Sequence, residues 1–308
     1  MMAGMDALEF SKGHGTGNDF VIIPDPEGAL PLPAKLVAAL CDRRTGIGGD
    51  GVLRVVRAAA AGEPVPAGVE WFMDYRNADG SVAEICGNGV RVFARYLVET
   101  GLVSTPEFRV ATRSGPVRAV VTDDAVSVTL ARPRICGEGT ATVAGRELAG
   151  LAVDAGNPHL VCPLPADLEL SGLDLTTPPG VDPARFPAGV NVELTTPAGP
   201  RQVRMRVYER GVGETRSCGS GACAVAVATL HAAGRSVGIV TVDPPGGRLA
   251  VSVTGDGCVL TGPAVLVAHG TVEPSALGFP YGLSGIARRP VRVTRGNHGA
   301  ATGRACHD

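Results

Sequence analysis

Short apolar runs rich in β-branched residues recur along most of the chain, separated by glycine, proline and polar residues. Such runs predict β-strands, because branched side chains suit a pleated, half-buried surface and turn residues end it. The pattern continues to about Pro274 and then stops. The predicted strands are 20–23, 69–74, 108–111, 117–121, 126–130, 151–154, 160–162, 202–207, 239–242, 249–253 and 259–261.

Three segments predict helices: 34–42, 88–99 and 222–233. A glycine, Gly101 or Gly234, follows each of the longer two, as is typical of helix C-termini. Both longer helices are apolar on nearly all sides, and a helix without a polar face belongs in a domain interior. Many strands around few helices predict an α/β protein of the α+β type.

The chain contains one internal repeat. Segments 69–101 and 203–234 each hold an apolar stretch with a tyrosine, a polar loop, the sequence CGNG or CGSG, an apolar helix and a final glycine. GTGNDFVII (15–23) and DAGNPHLVC (154–162) match at nearly the same spacing. Two ordered matches predict two copies of one unit, each with strands wrapped around one buried helix and a cysteine at the helix entrance. Chance similarity between glycine-rich loops is the alternative.

Composition narrows the class of protein. Of 308 residues, 44% are hydrophobic, enough for a sizeable core, and the formal net charge of −2 gives no reason to expect nucleic acid or an anionic membrane as partner. No apolar stretch approaches the roughly 20 residues that a bilayer span needs. The N-terminus lacks the pattern of a secretory signal, so we expect a soluble, cytoplasmic protein.

None of the eight cysteines has C-x-x-C spacing, which excludes a zinc ribbon or a thioredoxin motif. A disulfide framework is not expected in a reducing compartment. Cys41, Cys136, Cys162 and Cys258 are predicted to be small buried apolar residues, and Cys306 to be exposed in a polar tail.

Cys86 and Cys218 stand apart because each precedes a predicted helix. Unpaired N–H groups and the positive end of the helix dipole lower the pKa of a cysteine at such a position. The glycines of CGNG and CGSG let the backbone approach an anion such as a carboxylate. Two such sites facing one another suit the inversion of a stereocentre, in which one thiolate removes a proton from one face and one thiol returns a proton to the other.

Polar residues near these motifs suit a small zwitterionic ligand. Glu209 and Arg210 offer a carboxylate for an ammonium and a guanidinium for a carboxylate, although adjacent charges on an exposed strand usually carry no function. His159 could tune the proton affinity of a nearby thiol, or serve only a structural role. Asparagines in glycine-rich loops can donate and accept at once, although a turn-forming role is the common alternative. They are Asn18, Asn77, Asn88, Asn157 and Asn191.

At these residues the chain resembles the diaminopimelate epimerase family over residues 10 to about 274. The matching segments are FSKGHGTGNDF (10–20), CDRRTGIGGDG (41–51), NADGSVAEICGNGVR (77–91), GNPH (156–159), GVN (189–191) and ERGVGETRSCGSGACA (209–224). The resemblance implies interconversion of LL- and meso-diaminopimelate by two thiols, with neither pyridoxal phosphate nor metal. It also implies two pseudo-symmetric domains, each a mostly antiparallel barrel-like sheet around a central helix, with the active site in the cleft between them, and a homodimer.

The resemblance assigns roles to individual residues. Cys86 takes the proton from the LL isomer and Cys218 returns one on the opposite face. His159 and Glu209 set the thiol pKa values. The substrate-binding residues are then Gly87, Asn88, Gly219 and Ser220 for the reacting carboxylate, and Asn18, Asn77, Asn157, Asn191, Glu209 and Arg210 for the rest of the molecule.

The predicted domains are 1–130, completed by 263–275, and 131–262, with an irregular tail over 276–308. The tail holds scattered arginines without aromatic residues, so a nucleic-acid-binding arm is the weaker interpretation. Two departures from the family pattern concern Gly51, where some members carry glutamine, and Ala268, where some carry a tyrosine at the dimer contact.

Three other functions compete with this one. A proline or hydroxyproline racemase shares the two-thiol architecture, but its substrate has no distal amino-acid group to engage Glu209 and Arg210. A non-catalytic ligand-binding module would have no use for paired thiols. Nucleotide binding through the glycine-rich segments is disfavoured because no G-K-[S/T] follows them.

Overall fold

The computed structural model describes residues 7–279. They contain three α-helices and eighteen strands, and the strands form one mixed sheet. The helices are α1 (Ala34–Cys41), α2 (Gly87–Glu99) and α3 (Gly219–Ala232). The strands are β1 (Leu8–Gly15), β2 (Asn18–Pro24), β3 (Gly51–Arg57), β4 (Trp71–Asn77), β5 (Glu107–Thr112), β6 (Gly115–Val121), β7 (Val126–Ala131), β8 (Arg134–Val143), β9 (Arg146–Asp154), β10 (Pro158–Pro163), β11 (Gly180–Val181), β12 (Asn191–Gly199), β13 (Gln202–Glu209), β14 (Gly213–Thr215), β15 (Gly238–Asp243), β16 (Leu249–Val253), β17 (Gly257–Gly262) and β18 (Val265–Val272).

The strand pairings repeat. In the first half, β2 pairs with β3 in parallel, β3 with β4 antiparallel and β4 with β5 in parallel. In the second half, β10 pairs with β12 in parallel, β12 with β13 antiparallel and β13 with β15 in parallel. Antiparallel pairs flank both sets, so the predicted α+β fold with two pseudo-symmetric copies is confirmed.

Each copy surrounds one helix. The helix α2 packs against β1, β6 and β7, and α3 packs against β15, β16 and β10. Both helices are buried along most of their length, as their mainly apolar sequences predict. The two halves are joined in the sheet by β7 and β17, and β18 returns to pair with β1.

Every predicted strand and helix lies on an observed one, but several strands are absent from the prediction. The missed strands β1 and β8 carry glycines and many half-buried or exposed positions, so they lack the apolar run that identifies a strand by its sequence. The domain limits at 130 and 262 stay a prediction. Most of the predicted tail, 280–308, lies outside the described residues.

The prediction that four cysteines are buried is confirmed at three positions and wrong at one. Cys41, Cys162 and Cys258 are buried, but Cys136 is exposed. Cys136 is exposed because it lies in the first half of β8, which is exposed and does not pack against the core. Cys306 lies outside the described residues. Within residues 7–279, no helix is both long enough and apolar enough to cross a bilayer.

Gly246 provides a test of this packing. An added Cβ there would lie 1.6 Å from the carbonyl oxygen of Thr16, whereas Gly255 faces open space. We expect Gly246→Ala to lower the free energy of unfolding by about 1–3 kcal/mol or more, because overpacking forces the backbone apart. Gly255→Ala is the matched control, and chemical denaturation of both variants measures the difference. Equal stability of the two variants would contradict the close approach.

Candidate active site

The two repeat cysteines begin the two buried helices. Cys86 is the N-cap of α2, and its Sγ accepts a hydrogen bond from the backbone N–H of Gly89 at 3.3 Å. Cys218 is the N-cap of α3, and its Sγ accepts from the N–H of Gly221, also at 3.3 Å. Both sulfurs therefore occupy the position where free N–H groups and the helix dipole stabilise negative charge.

The two helix N-termini meet. A Cβ added to Gly87 would lie 3.8 Å from the Cα of Gly219, and one added to Gly219 would lie 3.3 Å from the backbone nitrogen of Asn88. The glycine after each cysteine thus allows the backbones of the two copies to come into contact. The sequence predicted two facing cysteine sites, and the structure brings their helix ends together.

Side-chain hydrogen bonds join the two halves at this contact. The amide nitrogen of Asn88 donates to the carbonyl oxygen of Ser217 at 3.1 Å and to Asn18 Oδ1 at 3.2 Å. The hydroxyls of Ser217 and Thr16 lie 2.6 Å apart. The side chain of Asn88 is therefore buried and fully engaged with protein.

Burial dominates the acidity of both thiols. It raises the pKa of Cys86 to about 11, against the lowering effect of the Gly89 N–H, and it raises the pKa of Cys218 well above its usual value. The charge of Glu209 raises the pKa of both thiols. The carboxyl of Glu209 therefore lies near both cysteines, as its proposed tuning role requires.

Burial raises the pKa of Glu209 itself, and a hydrogen bond from the hydroxyl of Thr215 opposes this. His159 is fully buried, and both of its ring nitrogens are engaged with residues other than the two cysteines. Its Nδ1 lies 2.6 Å from Glu193 Oε1, and its Nε2 lies 2.9 Å from Asn157 Oδ1. His159 interacts with both Glu193 and Glu209, and the charges of these two carboxylates raise the pKa of Cys218.

The remaining predicted binding residues lie on both halves of the protein. Asn191 accepts a hydrogen bond from the backbone N–H of Arg210, and its buried Nδ2 has no partner in the described part of the chain. The guanidinium of Arg210 donates to the carbonyl of Ala188. On the other half, Asn77 is more exposed and its Nδ2 donates to Ser81. Ser220 Oγ lies 3.4 Å from Cys218 Sγ.

Close packing explains why this chain carries Gly51 where some members of the family carry glutamine. A Cβ there would lie 2.4 Å from the carbonyl oxygen of Arg76 and 2.8 Å from the ring of Tyr75. A side chain at this position needs a shift of the backbone, so this chain makes no side-chain contact from residue 51.

Sequence analysis missed four polar residues of the site: Thr16, Arg91, Glu193 and Ser217. Thr16, Arg91 and Ser217 lie within or beside the recognised motifs, which is a usable signal. Glu193 lies outside the recognised motifs, between Val192 and Leu194 of β12, and only the parallel pairing of β10 with β12 brings it to His159 and to the start of α3.

Fold and site together define a class of protein in which two similar halves each present a cysteine at the start of a central helix. A hydroxyproline epimerase from Agrobacterium vitis has this fold, with a TM-score of 0.62, 17% identity, and coverage of 88% of this chain and 95% of that chain. A phenazine biosynthesis protein of the PhzF family from Bacillus anthracis matches with a TM-score of 0.64, 16% identity, and coverage of 87% and 99%. These likenesses establish the fold.

A family model described as diaminopimelate epimerase matches residues 10–136 and 151–267. The chain is 52% identical over 282 residues to a diaminopimelate epimerase from Rhodococcus jostii (strain RHA1), covering 86% of this chain and 97% of the relative. It is 51% identical over 282 residues to one from Mycolicibacterium smegmatis, covering the same shares. The chain belongs to the diaminopimelate epimerase family, and the resemblance found in the sequence is confirmed.

Replacing Glu209 tests the electrostatics of the site. We expect Glu209→Gln to speed the alkylation of both Cys86 and Cys218 at about pH 9, because removing a charge that raises a thiol pKa increases the thiolate fraction, about tenfold for each unit of pKa. Iodoacetamide labelling resolved by peptide mass spectrometry measures each site. Glu214→Gln, which removes a carboxylate paired with Arg206, is the control. Slower or unchanged alkylation in Glu209→Gln would contradict the assigned position.

Proposed function

We propose that the protein interconverts LL- and meso-2,6-diaminopimelate by proton transfer between two thiols at one α-carbon. The observation that carries this proposal is the meeting of two helix N-termini, each capped by a cysteine. Membership of the diaminopimelate epimerase family supports the substrate, and it implies a place in lysine biosynthesis.

The chemistry follows from the two sulfurs. One cysteine acts as a thiolate and takes the α-proton, while the other acts as a thiol and gives a proton to the opposite face. In the LL-to-meso direction, Cys86 is the base and Cys218 the acid, and the reverse reaction exchanges the roles. At the end of a turnover the proton has moved from one sulfur to the other, so the pair is ready for the opposite direction.

Backbone N–H groups supply the electrostatic stabilisation of the reacting substrate. Free N–H groups at the starts of α2 and α3, from Gly87-Asn88 and Gly219-Ser220, hold the reacting carboxylate and stabilise the negative charge that develops on it as the proton leaves. Because both thiols have raised pKa values, the thiolate needs nearby positive charge. The helix ends and the α-ammonium of the substrate provide it.

The distal amino-acid group is proposed to bind at the second half. The unpartnered Nδ2 of Asn191 can donate to its carboxylate, and Arg210 lies beside Asn191. Glu209 can accept from an ammonium group. The proposed set also includes Asn157 on this half and Asn18 and Asn77 on the first half, and His159 orients Asn157 and Glu193. Proline offers no second amino-acid group for these residues, which favours diaminopimelate over the racemase alternative.

Cysteine substitutions test the mechanism. We expect Cys86→Ala and Cys218→Ala each to lower epimerisation of LL-diaminopimelate by about 10²–10⁴-fold, because each removes the only proton carrier on one face. Chiral chromatography of the product measures the rate, and Cys136→Ala, at an exposed site, is the control. Near-normal turnover by either active-site variant would overturn the two-thiol assignment.

Incubation of the unmodified protein in heavy water tests the substrate. We expect one deuterium at a single α-carbon of the meso product, because the proton delivered comes from a thiol in exchange with solvent. L-proline and trans-4-hydroxy-L-proline serve as competing substrates under the same conditions. Faster turnover of either one would favour the racemase alternative, and no exchange with any of the three would favour a non-catalytic binding module.

We also propose that the protein is a cytoplasmic homodimer and that β18 contributes to the dimer contact. This strand is largely exposed although it carries Val265 and Val267, which are 43% and 56% exposed. Exposed apolar side chains on a strand favour association. Ala268 lies on the same strand, so the contact does not use a tyrosine there.

Sedimentation measures the assembly. We expect the unmodified protein to sediment as a dimer and Val267→Lys to shift it toward the monomer, because a charge buried at an interface without a partner is costly. Val237→Lys, at another exposed valine outside β18, is the control. A monomeric unmodified protein, or an unchanged dimer in Val267→Lys, would contradict a contact through β18.

A further inference from the structure

Arg91 is fully buried at the contact between the two halves, about one turn into α2. Within residues 7–279 it forms no ion pair. Its guanidinium donates to Asn88 Oδ1 at 2.8 Å and to Thr16 Oγ1 at 3.3 Å, and its Nε has no partner. Burying a cation among neutral acceptors is costly, so a purely structural role is a poor explanation for it.

Arg91 sets the orientation of two amide groups in series. A guanidinium can only donate, so Asn88 must turn its oxygen toward Arg91 and its NH₂ toward Asn18 Oδ1 and Ser217. Asn18 must then turn its own NH₂ away, and it donates to Asp50 Oδ2 at 2.7 Å. We call Arg91, Asn88, Asn18 and Asp50 the amide relay.

The far end of the amide relay agrees with this direction. A carboxylate can only accept, so Asp50 requires the NH₂ of Asn18, and Arg43 holds Asp50 from the other side at 2.7 Å. Both ends of the relay therefore specify the same orientation of both amides. Reversing either amide would place two donors or two acceptors against one another.

The relay determines what faces Cys86. Asn18 Oδ1, whose orientation the relay fixes, lies 3.6 Å from Cys86 Sγ and accepts from the thiol. A reversed Asn18 would present its NH₂ to the sulfur. In addition, the charge of Arg91 lowers the pKa of Cys86, against the burial that raises it. Arg91 thus acts on the same thiol both by orientation and by charge.

The relay also ties the second thiol to the first. Asn88 donates to the carbonyl of Ser217, the residue before Cys218. Arg91 donates to Thr16, whose hydroxyl is hydrogen-bonded to that of Ser217. One guanidinium therefore fixes, through Asn88 and Thr16, the position of the chain that carries Cys218 relative to the start of α2.

The repeat makes Arg91 a source of asymmetry. It is the fifth residue after Cys86, and the fifth residue after Cys218 is the buried, uncharged Cys223. Only one of the two matching helices therefore places a cation behind its cysteine. The two thiols share a backbone setting but differ in their buried charge.

We propose that Arg91 is a positioning residue for the reaction: acting through Asn88, it orients the amide relay that presents Asn18 to Cys86 and holds the two cysteine-bearing helix ends in register. The proposal rests on the proposed function, because it assigns Arg91 a task in the same two-thiol chemistry.

The test compares three variants in the full-length protein. Arg91→Met removes the charge and both donors while retaining an unbranched chain. Arg91→Lys retains the charge but replaces two donor nitrogens by one, which cannot hold Asn88 and Thr16 as the guanidinium fork does. Arg95→Met is the matched control, because Arg95 is a buried arginine one turn further along α2 that donates to the carbonyl of Thr122, away from the cysteines. Thermal melting establishes which variants are folded.

Two measurements are made on each folded variant: kcat with LL-diaminopimelate, and the pH dependence of Cys86 alkylation. We expect Arg91→Met to lower kcat by about tenfold to a hundredfold, the scale of a misplaced reacting group, and to move the alkylation midpoint of Cys86 to higher pH. We expect Arg91→Lys to leave the alkylation midpoint of Cys86 unchanged but to lower kcat. Arg95→Met should match the unmodified protein in both.

The proposal is overturned if Arg91→Met matches Arg95→Met in kcat and in the alkylation midpoint. If Arg91→Met does not fold, Arg91→Lys decides: a clear loss of kcat supports the proposal, and an unchanged kcat overturns it. Failure of the proposed function is a different result, since the unmodified protein would then not turn over diaminopimelate. The alkylation midpoints still report on Arg91 in that case, because they need no substrate.

Discussion

The contact between two helix N-termini is the constraint on which the site depends. The two helix ends that meet there bring two sets of unpaired N–H groups and two positive dipole ends to one place, an arrangement that is unfavourable without anionic partners. The thiol caps at Cys86 and Cys218 satisfy part of this demand, and Gly87 and Gly219 permit the close approach. A substrate carboxylate and a developing carbanion would satisfy the rest, so the fold is built to favour the charge that the reaction creates.

Burial of this contact has two opposing effects on the reactivity of the thiols. A dry site strengthens every interaction with the reacting carbon, yet it raises the pKa of both thiols and of Glu209. Fixed dipoles and the buried guanidinium of Arg91 oppose that effect without admitting water. The two copies of the repeat carry a matched pair of thiols, but the difference between Arg91 and Cys223 makes the two thiols inequivalent.

Much of this could be predicted from the sequence, because the determining signals are local. CGNG and CGSG before apolar helices placed Cys86 and Cys218 at helix entrances, and the repeat indicated that the two would face each other. Partners created by strand register could not be predicted: Glu193 reaches His159 only because β10 and β12 pair in parallel. Cys136 was misassigned because free cysteine is usually buried, and the sequence does not show that the first half of β8 is exposed.

The pairing of β18 with β1 joins the last described strand to the first. Nearly the whole described chain separates these partners, so closing this ladder carries the entropy cost of a very long loop. During synthesis, the first half emerges from the ribosome well before the strand that covers β1. That half must therefore wait with an open sheet edge until β18 has been synthesised.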